Sequence, residues 1–340
     1  MNNTQLPLVS ILIPIYNQKP HFLREAITSA INQTYPNIEI VLSDNLSTDN
    51  TVQQVIAEFE KVKHVVSCQP KQHLSMIDNF CFAAENATGE YLSFLSSDDM
   101  LEPECIEQLM GLINRYPDIT FAFGNIDCID AFTEQHLVYQ RDETYRTGYY
   151  TTQEFLNSFI YLKDVWMNGD IIRKDKYFEI DGIGYKPIRY AYDMAFALRL
   201  LAAGAVVGYV GQVLGKVRIW TGDKAAQKIV QLDLLTEIHD IIENYIIVLK
   251  NQYLLDLMDG GKDKVLEIRN NKVRDKVKYA VICYVKGYID ENAMLEIKDM
   301  VNNLNDFTAN LYLVCCKSPF KQLLQGVIGF KNIFSKRSTV

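Results

Sequence analysis

The chain has 340 residues, room for one large domain and a smaller one, and its 48% apolar and 22% charged residues describe a globular protein with a sizeable core. A formal net charge of −8 excludes the basic footprint of general nucleic-acid binding. Seven cysteines at irregular spacing, with no CxxC pair, exclude a disulfide framework or a cysteine zinc site and fit reduced thiols.

Residues 1–7 are polar and lack the basic-then-apolar pattern of a secretory leader. Leu200 to Leu214 is the most apolar later stretch, but its Gly and Ala content and the adjacent Arg199 leave it short of the ~20 apolar residues a spanning helix needs. These features predict a soluble, cytoplasmic protein.

Leu8 to Ile15 is a continuous apolar run, the mark of a strand buried on both faces. Pro14 is expected to stop its ladder and to open the loop Tyr16 to Pro20. A helix is predicted over His21 to Ile31, a turn at Gln33 to Asn37 and a second strand over Ile38 to Leu42. The loop Ser43 to Asn50 supplies capping side chains before a helix at Thr51 to Phe59. Strand Val62 to Cys68 and helix Ser75 to Ala87 follow, then Gly89 and the strand Tyr91 to Leu95. Short-looped alternation of strand and helix predicts an α/β, mostly parallel, Rossmann-like sheet flanked by helices. Neither GxGxxG nor GxxxxGK[ST] occurs, so the dinucleotide and P-loop phosphate cradles are excluded.

The strand Tyr91 to Leu95 ends in Ser96-Ser97-Asp98-Asp99. In open α/β sheets ligands bind outside the carboxyl ends of the strands, so two acids ejected there face a ligand position. Hard oxygen donors suit Mg²⁺ or Mn²⁺, which take a few carboxylates together with substrate phosphates. The competing reading makes Asp98 or Asp99 the cap of a helix opened by Glu102-Pro103-Glu104.

A helix over Pro103 to Arg115 and a strand over Ile119 to Gly124 lead into an irregular zone reaching Gly148. Thr151 to Tyr161 reads as helix, while Trp166 to Arg173 and Asp181 to Gly184 read as loop. A helix over Ala191 to Ala203, capped at Gly204, precedes strands Val206 to Val210 and Val213 to Ile219. Beyond Gly222 strand signals vanish and helical periodicity covers 227–253, 265–285 and 293–304. A boundary near residue 222 therefore separates a first domain, 1–222, from a helical C-terminal region, 223–340.

Several stretches resemble, in order and spacing, the family 2 glycosyltransferases of the GT-A fold. Val9 to Asn17 resembles their first strand and nucleotide loop, and Glu25 to Pro36 their first helix and its turn. Ser43 to Asp49 is similar to the loop that grips base and ribose, and Gly89 to Asp99 to the strand and metal motif. Tyr192-Asp193, Arg199, Gly204 and Arg218 resemble the late catalytic block. The likeness covers roughly 8–220, with a nucleotide-binding half to about residue 100 and an acceptor half from 101 to 222. It departs from the family at Ser96, where an acid is usual, at Asn45, where many members carry a second acid, and at Trp220, where a histidine is common.

The resemblance implies an inverting transferase that moves a sugar from a nucleotide-diphosphate donor, a UDP-sugar first, to a glycan or lipid-linked oligosaccharide in surface-polysaccharide synthesis. It makes Asp99 the first choice for the metal ligand, with Asp98 sharing ligation or holding the ribose, and Mn²⁺ or Mg²⁺ the cofactor. Asp193 takes the place of the general base, although an acid in the first turn of a helix is also explained by charge complementarity. Asp44 is placed to accept from a uracil N–H, although an Asx turn or a helix cap explains it too. Pro14, Tyr16 and Asn17 would form the nucleotide loop, although a structural turn explains them too, and Arg218 would reach the diphosphate unless it makes a surface ion pair. The five histidines show no ligand spacing and read as incidental.

After Asp306 the chain carries only basic charges: Lys317, Lys321, Lys331, Lys336 and Arg337. Apolar residues from Phe320 to Phe334 recur at helical spacing, so this tail reads either as a peripheral contact with the inner face of the membrane or as a helix packed on the protein. The helical region is open to a role in homodimerisation, membrane contact or acceptor binding. Two other functions share parts of the pattern. A sugar nucleotidyltransferase wants a Gly-rich triphosphate loop and an early basic residue, which Ile13 to Asn17 lacks. A degenerate nucleotide-sugar or glycan-binding module would explain Ser96 as lost chemistry.

Overall fold

A computed structural model describes residues 6–304, apart from 132, 137–144, 161–167, 189–190, 220–225, 286–287 and 303, and for 226–233 the backbone alone. The basic tail and Trp220 lie outside the described residues. The chain divides into two compact units, one formed by 1–185 and 192–222, the other by 186–191 and 223–340.

In the first unit the elements run β1 (Val9–Ile15), α1 (Pro20–Ile31), β2 (Ile38–Asp44), α2 (Asn50–Phe59), β3 (Val65–Cys68), α3 (Met76–Asn86) and β4 (Tyr91–Phe94). Next come β5 (Met100–Leu101), α4 (Cys105–Arg115), β6 (Ile119–Asp130), β7 (Gly148–Tyr150), α5 (Thr152–Phe159) and β8 (Asp170–Arg173). The unit closes with α6 (Lys174–Glu179), α7 (Tyr192–Ala202) and β9 (Val206–Ile219). The strands form one sheet in the order β3-β2-β1-β4-β8-β6-β9-β5, with β7 paired to β9.

The expected parallel half is present: β1 pairs in parallel with β2 and β4, and β2 with β3. All seven residues of β1 are buried, as a strand covered by helices on both faces requires. The other half is mixed, because β8 runs antiparallel between β4 and β6. That strand falls in the stretch read as loop; its four residues carry only Ile171 and Ile172 as apolar signal, directly after Gly169. The two strands expected over 206–219 are one, and Gly211-Gln212 between them is a bulge where the β6–β9 register shifts.

Pro14 does not end β1; it lies within the ladder, opposite Ser43. Ile15 faces β2, its carbonyl accepting from Asn45 N, and Leu12 faces β4, its carbonyl accepting from Leu95 N. Backbone alternation turns Pro14 toward β4 as well, but that pairing stops at Leu12, so the missing N–H forfeits no bond. The cap reading of the two acids fails, since α4 starts after Glu104 and β5 intervenes.

The second unit is helical: α8 (Ala226–Leu249), α9 (Gln252–Leu257), α10 (Gly261–Val285) and α11 (Glu291–Asn302). The Asn251 side chain caps α9 by accepting from Leu254 N, which splits the single helix expected over 227–253. Leu234, Ile238, Val277 and Ile297 lie in its apolar core. Residues 186–191 join this unit through buried Ile188 and through Ala191 N, which donates to Asp240 Oδ2 at 2.9 Å. Among the described residues no helix is long and apolar enough to cross a membrane.

Candidate active site

A cleft of about 410 Å³ opens where β1, β2 and β4 end. Pro14, Ile15 and Tyr16 form one side, Asn45 the floor, His73 to Met76 and Phe80 the far wall, and Ser96 to Asp98 the end. This is the crevice that α/β topology prepares for a ligand.

The loop after β1 is fastened to the loop after β2. Asn17 adopts a left-handed φ of 46°, which asparagine tolerates, and its Oδ1 accepts from Thr48 N at 2.8 Å and Asp49 N at 3.3 Å. Asn17 N in turn donates to Ser47 Oγ at 2.9 Å. The Asn17 amide therefore latches two loops together. Tyr16 is 48% exposed, its ring edge-on to His73 at 4.5 Å. His73, read as incidental from sequence, is a wall of the cleft; nothing in its local spacing announced that.

Asp44 is buried, and its carboxylate is occupied by the protein. Oδ1 accepts from Ser47 N, three residues on, at 3.0 Å, and Oδ2 accepts from the amides of Gln53 (3.2 Å) and Gln69 (3.0 Å). Its neighbour Asn45 does the wall-building. The Asn45 side chain donates to Leu74 O and accepts from Leu74 N, holding the segment before α3 across the cleft.

The two acids after β4 part company. Asp98 lines the cleft, whereas Asp99 is 4% exposed and turned inward. Asp99 Oδ1 accepts from Arg218 N at 2.7 Å, and Oδ2 accepts from Asn168 Nδ2. Burial pushes the Asp99 carboxyl up to about 7, and the adjacent Asp98 charge adds to the rise against those two bonds. The sequence reading prefers Asp99 as the metal ligand; in the structure it is Asp98 that lines the cleft, with Asp99 behind it. Adjacent residues on a turn point different ways, and no local pattern says which.

Arg218 makes the ion pair that the sequence leaves open as the alternative to a diphosphate contact, and makes it inside the protein. Its guanidinium is buried, donates to Glu25 Oε2 and to the Asp98 carbonyl, and lies 4.3 Å over the Phe22 ring. It braces the turn from behind. Asp193 stands in the first turn of α7, with Oδ1 accepting from Met194 N at 2.9 Å. One turn later Phe196 packs against Phe94, the last residue of β4, at 6.2 Å between ring centres. Arg199, further along α7, holds the carbonyls of Ile180 and Gly182 at 2.7 and 2.6 Å.

No cluster of three or more His, Cys, Asp or Glu able to hold a metal occurs among the described residues. A single carboxylate on a cleft wall still fits a hard divalent ion whose other ligands are substrate phosphates and water.

Residues 10–177 match the sequence profile of the family described as Glycosyl transferase family 2. A protein of Rickettsia felis named an uncharacterized glycosyltransferase is 36% identical over 131 residues, 38% of this chain and 21% of that protein. One of Haemophilus influenzae, named likewise, is 27% identical over 210 residues, 60% of this chain and 63% of that protein. The chain spans less than two thirds of the length of either relative. Among solved structures, Staphylococcus aureus TarS 1–349 aligns with a TM-score of 0.64 at 14% identity, covering 92% of this chain and 88% of that one. Its complex with UDP gives 0.63, with the same coverage of both chains. Its complex with UDP-GlcNAc gives 0.57 and covers 92% and 91%. At that identity the likeness is one of fold.

Proposed function

The chain belongs to glycosyl transferase family 2 and has the GT-A fold, and from that premise we propose that it transfers a sugar, with inversion, from a UDP-linked donor to a hydroxyl of a glycan or lipid-linked saccharide. The observation that carries this reading is the cleft at the ends of β1, β2 and β4, lined by Asp98 and by the paired rings of Tyr16 and His73. The complexes of the structural neighbour with UDP and UDP-GlcNAc favour the same donor class.

In this reading Tyr16 and the Asn17-latched loops embrace the nucleoside, and Asp98 would hold Mn²⁺ or Mg²⁺ together with the diphosphate. The chemistry such an ion would supply there is Lewis-acid stabilisation of the charge that grows on the leaving nucleotide. Asp193 accepts the proton of the acceptor hydroxyl, whose oxygen forms the new bond to the anomeric carbon as the bond to the diphosphate breaks on the opposite face. Surface-polysaccharide synthesis and attachment of the basic tail to an anionic inner leaflet belong to the same proposal; vesicles of anionic lipid should retain the full chain and release it at high salt.

The test is calorimetric titration of UDP into the protein with Mn²⁺ and then with EDTA, followed by turnover with UDP-sugars. Metal-dependent binding that Asp98→Ala removes is the expected result. Silence toward UDP, GDP and dTDP alike would sink the reading. A second reading, a binding module without turnover, is favoured by Ser96 in place of an acid. It requires wild type and Asp193→Asn to bind donor equally and to transfer nothing.

A further inference from the structure

We infer that Asn168 is the positioning residue for the cleft-facing carboxylate of Asp98, acting through the turn that carries it; the assignment rests on the nucleotide-diphosphate reading of the cleft. The turn Ser96 to Asp99 is closed by its own bond, Asp99 N to Ser96 O at 3.1 Å. One buried amide holds both of its ends. Asn168 Oδ1 accepts from Ser96 N at 3.0 Å, and Asn168 Nδ2 donates to Asp99 Oδ2. Only a side chain with an acceptor and a donor on one rigid plane can do both, so asparagine is demanded where aspartate or leucine would fill the space.

The backbone behind Asn168 is equally constrained. Gly169 has φ +70°, and a Cβ placed there would come within 3.1 Å of Leu214 Cβ and 3.2 Å of its carbonyl carbon. Asp170, next in line, accepts from Phe94 N at 3.1 Å. Asn168, Gly169 and Asp170 therefore run alongside the end of β4 and fix its turn at positions 94, 96 and 99. Arg218 fixes the Asp98 carbonyl. Asp98, between the clamped residues, has its backbone set and lines the cleft. Asn168 touches neither cleft nor ligand position; it spares Asp98 the ordering cost that metal and diphosphate would otherwise meet.

The loops that latch through Asn17 do not use Asn168, so the two contributions to nucleotide affinity are separable. UDP is titrated by calorimetry into wild type, Asn168→Ala and Asn168→Asp, each with Mn²⁺ and with EDTA, and the melting temperature of each is recorded. Asn168→Asp is isosteric and keeps the acceptor for Ser96 while losing the donor to Asp99, so it reports even where the alanine variant does not fold. Expected is a loss of about 10- to 100-fold in the affinity gained from Mn²⁺, with metal-free UDP affinity held within about twofold. Equal losses with and without metal would mark Asn168 as merely structural and overturn the assignment. Unchanged Mn²⁺ dependence in both variants would overturn it alone, whereas wild-type binding indifferent to Mn²⁺ would overturn the site reading and this assignment with it.

Discussion

Strands β3, β2, β1 and β4 end in loops whose side chains line the cleft, whereas β8 and β9, with the segment before β8, turn their polar groups inward against the end of β4. The parallel half is the older idea of a ligand crevice: helices cover both faces and the loops meet the solute. The mixed half contributes Asn168, Asp170 and Arg218, each buried, each bonded to residues 94–99. A conformation that aims one carboxylate outward is held by groups no ligand needs to meet. The chemistry and its support are therefore drawn from different halves of one sheet, and substitutions should sort accordingly.

The largest separation is expected at the adjacent acids. Asp98→Asn should lower transfer by about 10²–10³-fold, the scale of losing several kcal/mol of Lewis-acid assistance, with the melting temperature unchanged. Asp99→Asn should instead cost stability, because a second amide facing Asn168 Nδ2 and Arg218 N replaces an acceptor with a donor at one of two buried bonds. Turnover and thermal melts on the two variants check this; equal loss of activity at equal stability would erase the distinction.

Within the supporting half, Glu25→Ala leaves the Arg218 guanidinium buried at 1% side-chain exposure without its carboxylate. A cost on the order of 2–3 kcal/mol in urea unfolding is expected, below that of a fully buried pair because Glu25 itself is 41% exposed. Arg218→Met in the Glu25→Ala background should recover part of it by removing the stranded charge. In the cleft-lining half, Asn17→Ala removes the latch and should weaken UDP about tenfold, in EDTA as much as in Mn²⁺, since loop ordering is then charged to binding. That indifference to metal separates it from Asn168→Ala.

Legibility followed the same division. The apolar run of β1 and the strand ending at Asp98-Asp99 announce themselves locally, and the crevice follows from where parallel strands end. β8 did not, because a four-residue antiparallel strand between β4 and β6 takes its identity from neighbours far along the chain. Asn168 lies 72 residues from Ser96, and Arg218 lies 193 from Glu25, so neither partnership leaves a trace in spacing. The Asp98–Asp99 distinction is conformational: both are acids beside a strand end, and only the packing of β9 and the residues before β8 decides which one is swallowed.

Asp170 offers the subtlest measurement of that packing. It is fully buried, and burial pushes its carboxyl up to about 8 against the lowering bond from Phe94 N. The folded state thus keeps a proton that the unfolded chain gives up near pH 4. Between those values the native form binds more protons than the unfolded one, so stability falls as pH rises, by about 1.4 kcal/mol per pH unit, and levels off above the folded value. The thiol of Cys105, which burial and the nearby Asp170 push well upward, stays neutral throughout and adds no slope. Asp170→Asn mimics the protonated acid and removes the slope. Urea unfolding at pH 6, 7 and 8 should show wild type losing ground steadily to the variant, the two converging near pH 4. Parallel profiles would mean that the carboxyl is ionised in the native protein, and that the inward-turned half tolerates a charge where its packing says it does not.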